Sequence, residues 1–224
     1  MSKIHIIFEG KVLTQSRFNE IERFVLEYFH SLWNDIRNSI YSLRKTNPEF
    51  LKSELSLAFI GADSLSRFRE IITTGEEEKN NEDRFREWFD AFVFNKRNEA
   101  YKKYKQEISC DSSIAWKLRN ALLHFYGLPD LKSECVGFAT IDQTLIKKFK
   151  TSISQNHYGK QVRVVNPYRL IEAIFGGFLI QAEALSEIIR GDSDLEKEKY
   201  AKGVVRCYEI IQNEGTVHVH LQKK

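Results

Sequence analysis

Between Phe18 and Leu43 a single apolar stripe limits the possible folds more than any other feature. Phe18, Ile21, Val25, Phe29, Leu32, Ile36, Ile40 and Leu43 recur at steps of three and four residues. Those positions share one face of an α-helix, whereas a strand would scatter them over both sides of a sheet. A helix over about 15–45 is therefore expected. Asn47-Pro48 stops it, because the residue before a proline is pushed out of the helical region. A long helix with one apolar face must lay that face against other elements. A second stripe, Leu51, Leu55, Ala58, Ala62, Leu65, Phe68 and Ile72, predicts a second helix over about 49–73.

The run Thr74 to Asn81 reads as an exposed loop, and Phe85, Trp88, Phe89, Phe92 and Val93 mark a third helix near 82–105. Asp111-Ser112-Ser113 offers helix caps before a fourth helix from Ile114 to Tyr126, closed by Gly127 and Pro129. Beyond Pro129 the pattern changes. Val136, Phe138 and Thr140 alternate with other residues, and Val162, Val164 and Val165 follow Tyr158-Gly159, which reads as strands or a hairpin. Asn166-Pro167 opens a fifth helix over about 168–190, and a last helix is expected over about 193–211. Gly176-Gly177 lies inside the fifth helix. Glycine there costs roughly 1 kcal/mol per residue against alanine, so close approach of another helix is the expected reason. Short terminal strands are read at 4–8 and around Val217, Val219 and Leu221. The expected fold is mainly α, a four- to five-helix bundle with a small β insertion or hairpin. It is read as a single domain over 1–224, with the bundle at about 15–127 and 168–211 and the β-containing insertion at about 131–166.

Composition removes other classes. With 42% hydrophobic and 29% charged residues, 11 Gly and 3 Pro, the chain is neither disordered nor collagen-like. A net charge of +3 excludes a general polycation, so any nucleic-acid surface must be a local patch. Cys110, Cys135 and Cys207 show neither disulfide-framework nor zinc spacing, and a reducing compartment is expected. The apolar run Ile4 to Phe8 is too short for a secretory leader. Glu172, Glu183 and Glu187 mark the apolar 171–189 segment as a core helix, not a membrane span. The expected location is cytoplasmic, with no membrane partner, no cofactor and no metal. His218 and His220 share one side of a strand but have no third ligand nearby.

Chemistry concentrates in Trp116-Lys117-Leu118-Arg119-Asn120-Ala121-Leu122-Leu123-His124-Phe125-Tyr126. At about 100° per residue, Ile114, Leu118, Ala121, Leu122 and Phe125 face the core, and Lys117, Asn120 and His124 lie opposite. Asn120 and His124 are four apart, so the amide is expected to bond the imidazole and hold its orientation. Trp116 and Leu123 project where a surface helix would be polar. They need a cover, from this chain or from a second copy. An imidazole titrates near neutrality and takes a proton from a ribose 2′-hydroxyl, and a guanidinium stabilises charge on the phosphoryl oxygens. Arg119 and His124 are about 140° apart around the axis, so one helix aims them poorly at one phosphate. Two copies across a dyad would supply four groups to one groove.

Arg119, four residues, then His124, with polar Asn120 directly after the arginine, resembles the Rx4–6H signature of the HEPN superfamily. That resemblance implies an α-helical bundle, often a homodimer with the motif at its interface. It also implies a metal-independent endoribonuclease that leaves a 2′,3′-cyclic phosphate, of the kind found in toxin–antitoxin and antiphage systems. Arg119 and His124 are then the catalytic residues and Asn120 supports them. Tyr126 extends the match to Rx4HxY, the form in toxins whose tyrosine is adenylylated by a nucleotidyltransferase antitoxin, which makes Tyr126 a modification candidate. Arg23 and His30 also fit the loose spacing, but no polar residue follows Arg23.

From Gln143 to Ile171 there is no acidic residue, while Lys147, Lys148, Lys150, Lys160, Arg163 and Arg169 supply cations. With Lys117, the insertion's cations form a candidate RNA-binding surface, where Phe149 and Tyr158 could stack on bases. The reading from a different class is a non-catalytic HEPN module that binds nucleic acid, a nucleotide or a protein partner.

Overall fold

The computed structural model describes residues 7–8, 11–46, 50–108, 110–125, 136–138, 154–157, 160–190 and 194–214. The fold is mainly helical, as the apolar periodicity predicts. Its helices are α1 Gln15–Thr46, α2 Leu51–Thr74, α3 Asn81–Trp88, α4 Glu99–Ile108, α5 Ser112–Phe125, α6 Pro167–Arg190 and α7 Asp194–Glu214. Strands β1 Ile7–Phe8 and β2 Lys11–Val12 pair antiparallel. Strands β3 Val136–Phe138, β4 Ser154–His157 and β5 Lys160–Val165 form a sheet of order β3-β5-β4. In it β4 runs antiparallel to β5 and β3 parallel to it, with Val136 opposite Arg163. The expected strand at 217–221, with His218 and His220, lies outside the described residues, as do residues 4–6 of the N-terminal one.

By internal contacts the chain divides into two compact units, residues 1–31, 68–78 and 186–224, and residues 32–67 and 79–185. In the first, Ile21, Val25, Phe68, Ile71, Ile72, Val204 and Cys207 are buried. Phe29 stacks on Phe68 with ring centroids 3.8 Å apart. Helix α7 meets α2 at Gly203, where an added Cβ would lie 2.2 Å from the Ile71 carbonyl oxygen and 2.6 Å from the Ile72 Cα. Only glycine lets these backbones approach so closely. Helix α2 ends in the left-handed conformation of Gly75, φ 88°, whose N–H donates to the Ile71 oxygen.

The second unit holds the larger core, built from α2, α3, α5, α6 and the second half of α1. Phe59, Phe85, Phe89 and Trp88 are fully buried; Phe85 stacks on Phe89, Phe59 meets both at a tilt, and Trp88 meets Phe89 edge-on. Trp88 also packs on Phe178 of α6, and its indole N–H donates to Gln181 Oε1 at 2.6 Å. Gln181 Nε2 in turn donates to the Leu65 carbonyl, so this polar pair inside the core is satisfied. Of the Gly176-Gly177 pair, Gly177 has the expected cause, approach of α3 and the turn after it, whereas Gly176 makes room for the side chain of Asn98, which lies ahead of α4. An added Cβ would lie 2.4 Å from Asn98 Oδ1 at Gly176, and 3.1 Å from Val93 and 3.3 Å from Trp88 at Gly177.

One expected element is split. The helix predicted over 82–105 ends at Trp88, passes through a π-helical turn at Phe89–Val93, and restarts at Glu99. Phe94 N–H donates five residues back to the Phe89 oxygen. Asn95 Nδ2 takes the Ala91 carbonyl and its Oδ1 accepts from Arg97 N–H, while Asn98 Oδ1 accepts from Tyr101 N–H and caps α4. Two asparagine side chains thus supply the bonds that a continuous helix would have made.

Candidate functional site

Helix α5 starts where its caps predict. Asp111 Oδ1 accepts from Ile114 N–H at 2.8 Å, and Ser112 Oγ donates to Asp90 Oδ2 at 3.0 Å. Ile114, Ala115, Leu118 and Leu122 are buried, and Ala121 is half-buried. This turns Arg119, Asn120 and Trp116 towards the edge of the core and leaves Lys117 exposed. Trp116 meets its cover within the chain, since its ring lies 5.4 Å from that of Phe85 on α3.

Arg119 is the most constrained group on this face. Its Nε and Nη2 both donate to Asp63 Oδ2 of α2, at 2.8 and 2.5 Å. Its Nη1 donates to Asn120 Oδ1 at 3.0 Å, and its guanidinium carbon sits 5.0 Å from the Trp116 ring centroid. The Arg119 side chain is 15% exposed and that of Asp63 25%. A carboxylate, an amide and an indole therefore hold the guanidinium plane from three sides.

Asn120 thus commits its oxygen to Arg119, a charged donor beside it, while the expected bond from its amide to the imidazole falls on the His124 side chain, outside the described residues. The backbone of His124 belongs to α5, while its side chain lies outside the described residues, as do Tyr126, Lys147, Lys148 and Lys150 altogether. Lys160 and Arg163 stand on β5, opposite His157 and Ser154 of β4.

Arg169 departs from the expectation for the basic stretch of the insertion. Its Nε donates to Glu107 Oε2 at 3.0 Å, its Nη1 to Glu172 Oε2 at 2.8 Å, and it stacks 3.7 Å over the Tyr104 ring. Burial works against its charge, but the bonds from Glu172 and Glu107 outweigh it and raise the pKa above the ordinary value. Arg169 ties α6 to α4 and is not a phosphate-seeking surface cation.

Sequence reasoning missed Asp63. A signal was present, because Asp63 is the one charged residue between Glu54 and Arg67. A lone acid in an apolar helix run asks for a partner. Among the described residues no group of three or more His, Cys, Asp or Glu side chains could hold a metal ion. Nor is any helix among them long and apolar enough to cross a membrane.

No protein-family model, curated protein or solved structure matches the chain.

Proposed function

We propose that this chain is a HEPN-type endoribonuclease that cleaves RNA without a metal, with Arg119 and His124 on α5 as its catalytic residues. One observation carries the reading: the guanidinium of the motif arginine is held in a fixed plane by Asp63, Asn120 and Trp116. A group fixed before substrate arrives stabilises developing phosphoryl charge with little reorganisation. His124 takes the proton from the ribose 2′-hydroxyl. The resulting alkoxide attacks the adjacent phosphorus, the 5′-oxygen leaves and takes a proton, and a 2′,3′-cyclic phosphate remains. Asp63 and Asn120 are positioning residues in this scheme. The cytoplasm is the compartment, a homodimer through the α5 face is the assembly, and a toxin or antiphage role is the setting. A nucleotidyltransferase antitoxin acting on Tyr126 belongs to the same proposal.

The Asp63 contact also favours a second reading. A guanidinium whose charge is already compensated by a carboxylate suits a non-catalytic module in which Arg119 is structural. Purified protein incubated with RNA in excess EDTA separates the two. Cleavage by wild type that is lost in Arg119→Ala and His124→Ala supports the enzyme. No cleavage, or equal cleavage in all three, sinks it. Light scattering reads the dimer, and the mass of Tyr126 peptides from cells carrying the antitoxin reads the modification.

A further inference from the structure

The first unit holds a cavity of about 320 Å³ between the start of α1, the end of α6 and the first turns of α7. That lies within the roughly 300–1,000 Å³ of small-ligand sites. On α1, Gln15, Phe18, Asn19 and Glu22 share one face, and on α7 Lys197, Tyr200 and Ala201 do. Facing stripes on packed helices are ordinarily apolar throughout, yet these two carry an acid and a base.

Tyr200 anchors the polar side. It is 5% exposed and donates to Glu22 Oε1 at 2.8 Å. Burial, then this bond, hold the phenol in its protonated, donating form. Glu22 is thereby fixed by one oxygen, while Oε2 receives no donor among the described residues. Glu22 and Lys197 are both half-buried, and among the described residues neither has an ion partner, each other included. The other polar groups are neutral, with Gln15 Nε2 donating to Asn19 Oδ1 at 2.8 Å. Leu13, Phe18 and Ile189, the last 42% exposed, supply an apolar wall.

Charge decides what fits. The lining carries one negative and one positive side chain, so its charges balance. A simple anion would meet Lys197 but be repelled by Glu22, and a simple amine the reverse. A hydrocarbon would strip water from both and give nothing back. A molecule that carries both charges and an apolar group satisfies every wall. We propose that this cavity binds a free α-amino acid with an apolar side chain, its ammonium on Glu22, its carboxylate on Lys197 and its side chain against Phe18 and Ile189. None of the lining residues belongs to the second unit, so the proposal does not rest on cleavage at Arg119.

Isothermal titration of the full chain with leucine, phenylalanine, glycine, leucinamide and N-acetylleucine tests this. Leucine or phenylalanine is expected to bind. Glycine lacks the apolar group, leucinamide the carboxylate and N-acetylleucine the ammonium, and each should bind about tenfold more weakly or worse. Glu22→Gln keeps an acceptor for Tyr200 and should weaken leucine about tenfold while leaving N-acetylleucine unchanged. Lys197→Met should weaken leucine equally and leave leucinamide unchanged. Lys199→Ala, at an exposed position outside the cavity, should bind as wild type does. Unchanged circular dichroism shows that the variants are folded. The proposal is overturned if neither leucine nor phenylalanine binds, if leucinamide binds as tightly as leucine, or if Glu22→Gln and Lys197→Met bind leucine as wild type does. His124→Ala should retain leucine binding, so a failure of cleavage and a failure of this cavity remain distinguishable.

Discussion

Replacing Asp63 by alanine leaves Arg119 on α5 without the carboxylate that receives two of its N–H groups. A hydrogen bond to a charged group contributes about 1.5–3 kcal/mol net, and breaking a fully buried ion pair costs roughly 3–5 kcal/mol. Here the side chains are 15% and 25% exposed, so water reaches the pair and the lower range applies. About 2 kcal/mol of lost stability is expected, a fall in Tm of roughly 4–8 °C for a chain of this size. Arg119→Ala removes the same pair and also the Trp116 contact, which adds about 0.5–1 kcal/mol. Because the variants share one interaction, the double variant should cost less than the sum, with a coupling of about 1.5 kcal/mol or more in a urea-denaturation cycle. Asp63→Asn supplies the functional arm. It keeps the shape of the side chain and loosens the guanidinium, so RNA cleavage should fall by about tenfold while its pH profile is unchanged. A coupling below about 0.5 kcal/mol would refute the reasoning, because the contact would then hold nothing in place.

Gly203→Ala should destabilise the α2–α7 contact by about 2 kcal/mol. Overpacking of up to about 3 kcal/mol outweighs the helix-propensity gain of about 1 kcal/mol, because the obstructing atoms are backbone; calorimetry showing an unchanged Tm would contradict this. Tyr200 donates to Glu22 Oε1 at 2.8 Å, and burial, then this bond, push its pKa well above the ordinary 10.0. Its contribution is therefore complete below about pH 10 and is lost as pH rises towards the folded value, since the unfolded phenol ionises first. Tyr200→Phe should flatten that alkaline decline in stability, and an identical decline in wild type and variant would count against it. Gln181→Leu strands the Trp88 indole N–H inside the core and should cost about 1–3 kcal/mol in urea denaturation. A variant as stable as wild type would show that this bond is dispensable.

Helix existence and facing were legible in the chain. The stripe from Phe18 to Leu43 put Ile21, Val25, Ile36 and Ile40 inside, and Asp111 capped α5 as its type and place predict. Asn95 and Asn98 were legible in principle. Their side chains compete with the backbone, but the aromatic run Phe85 to Val93 masked the break by keeping an apolar face. The candidate site was half legible. Arg119, Asn120 and His124 are neighbours in sequence, whereas Asp63 is 56 positions from Arg119 and joins it only because α2 packs beside α5.

Local chemistry explains that division. Periodicity, caps and the proline stop depend on residues within a few turns, so the sequence alone determined a mainly helical chain and the apolar face of each helix. Which carboxylate meets which cation depends on the packing of distant helices. Only the tertiary structure assigned Asp63 to Arg119 and committed Arg169 to Glu107 and Glu172.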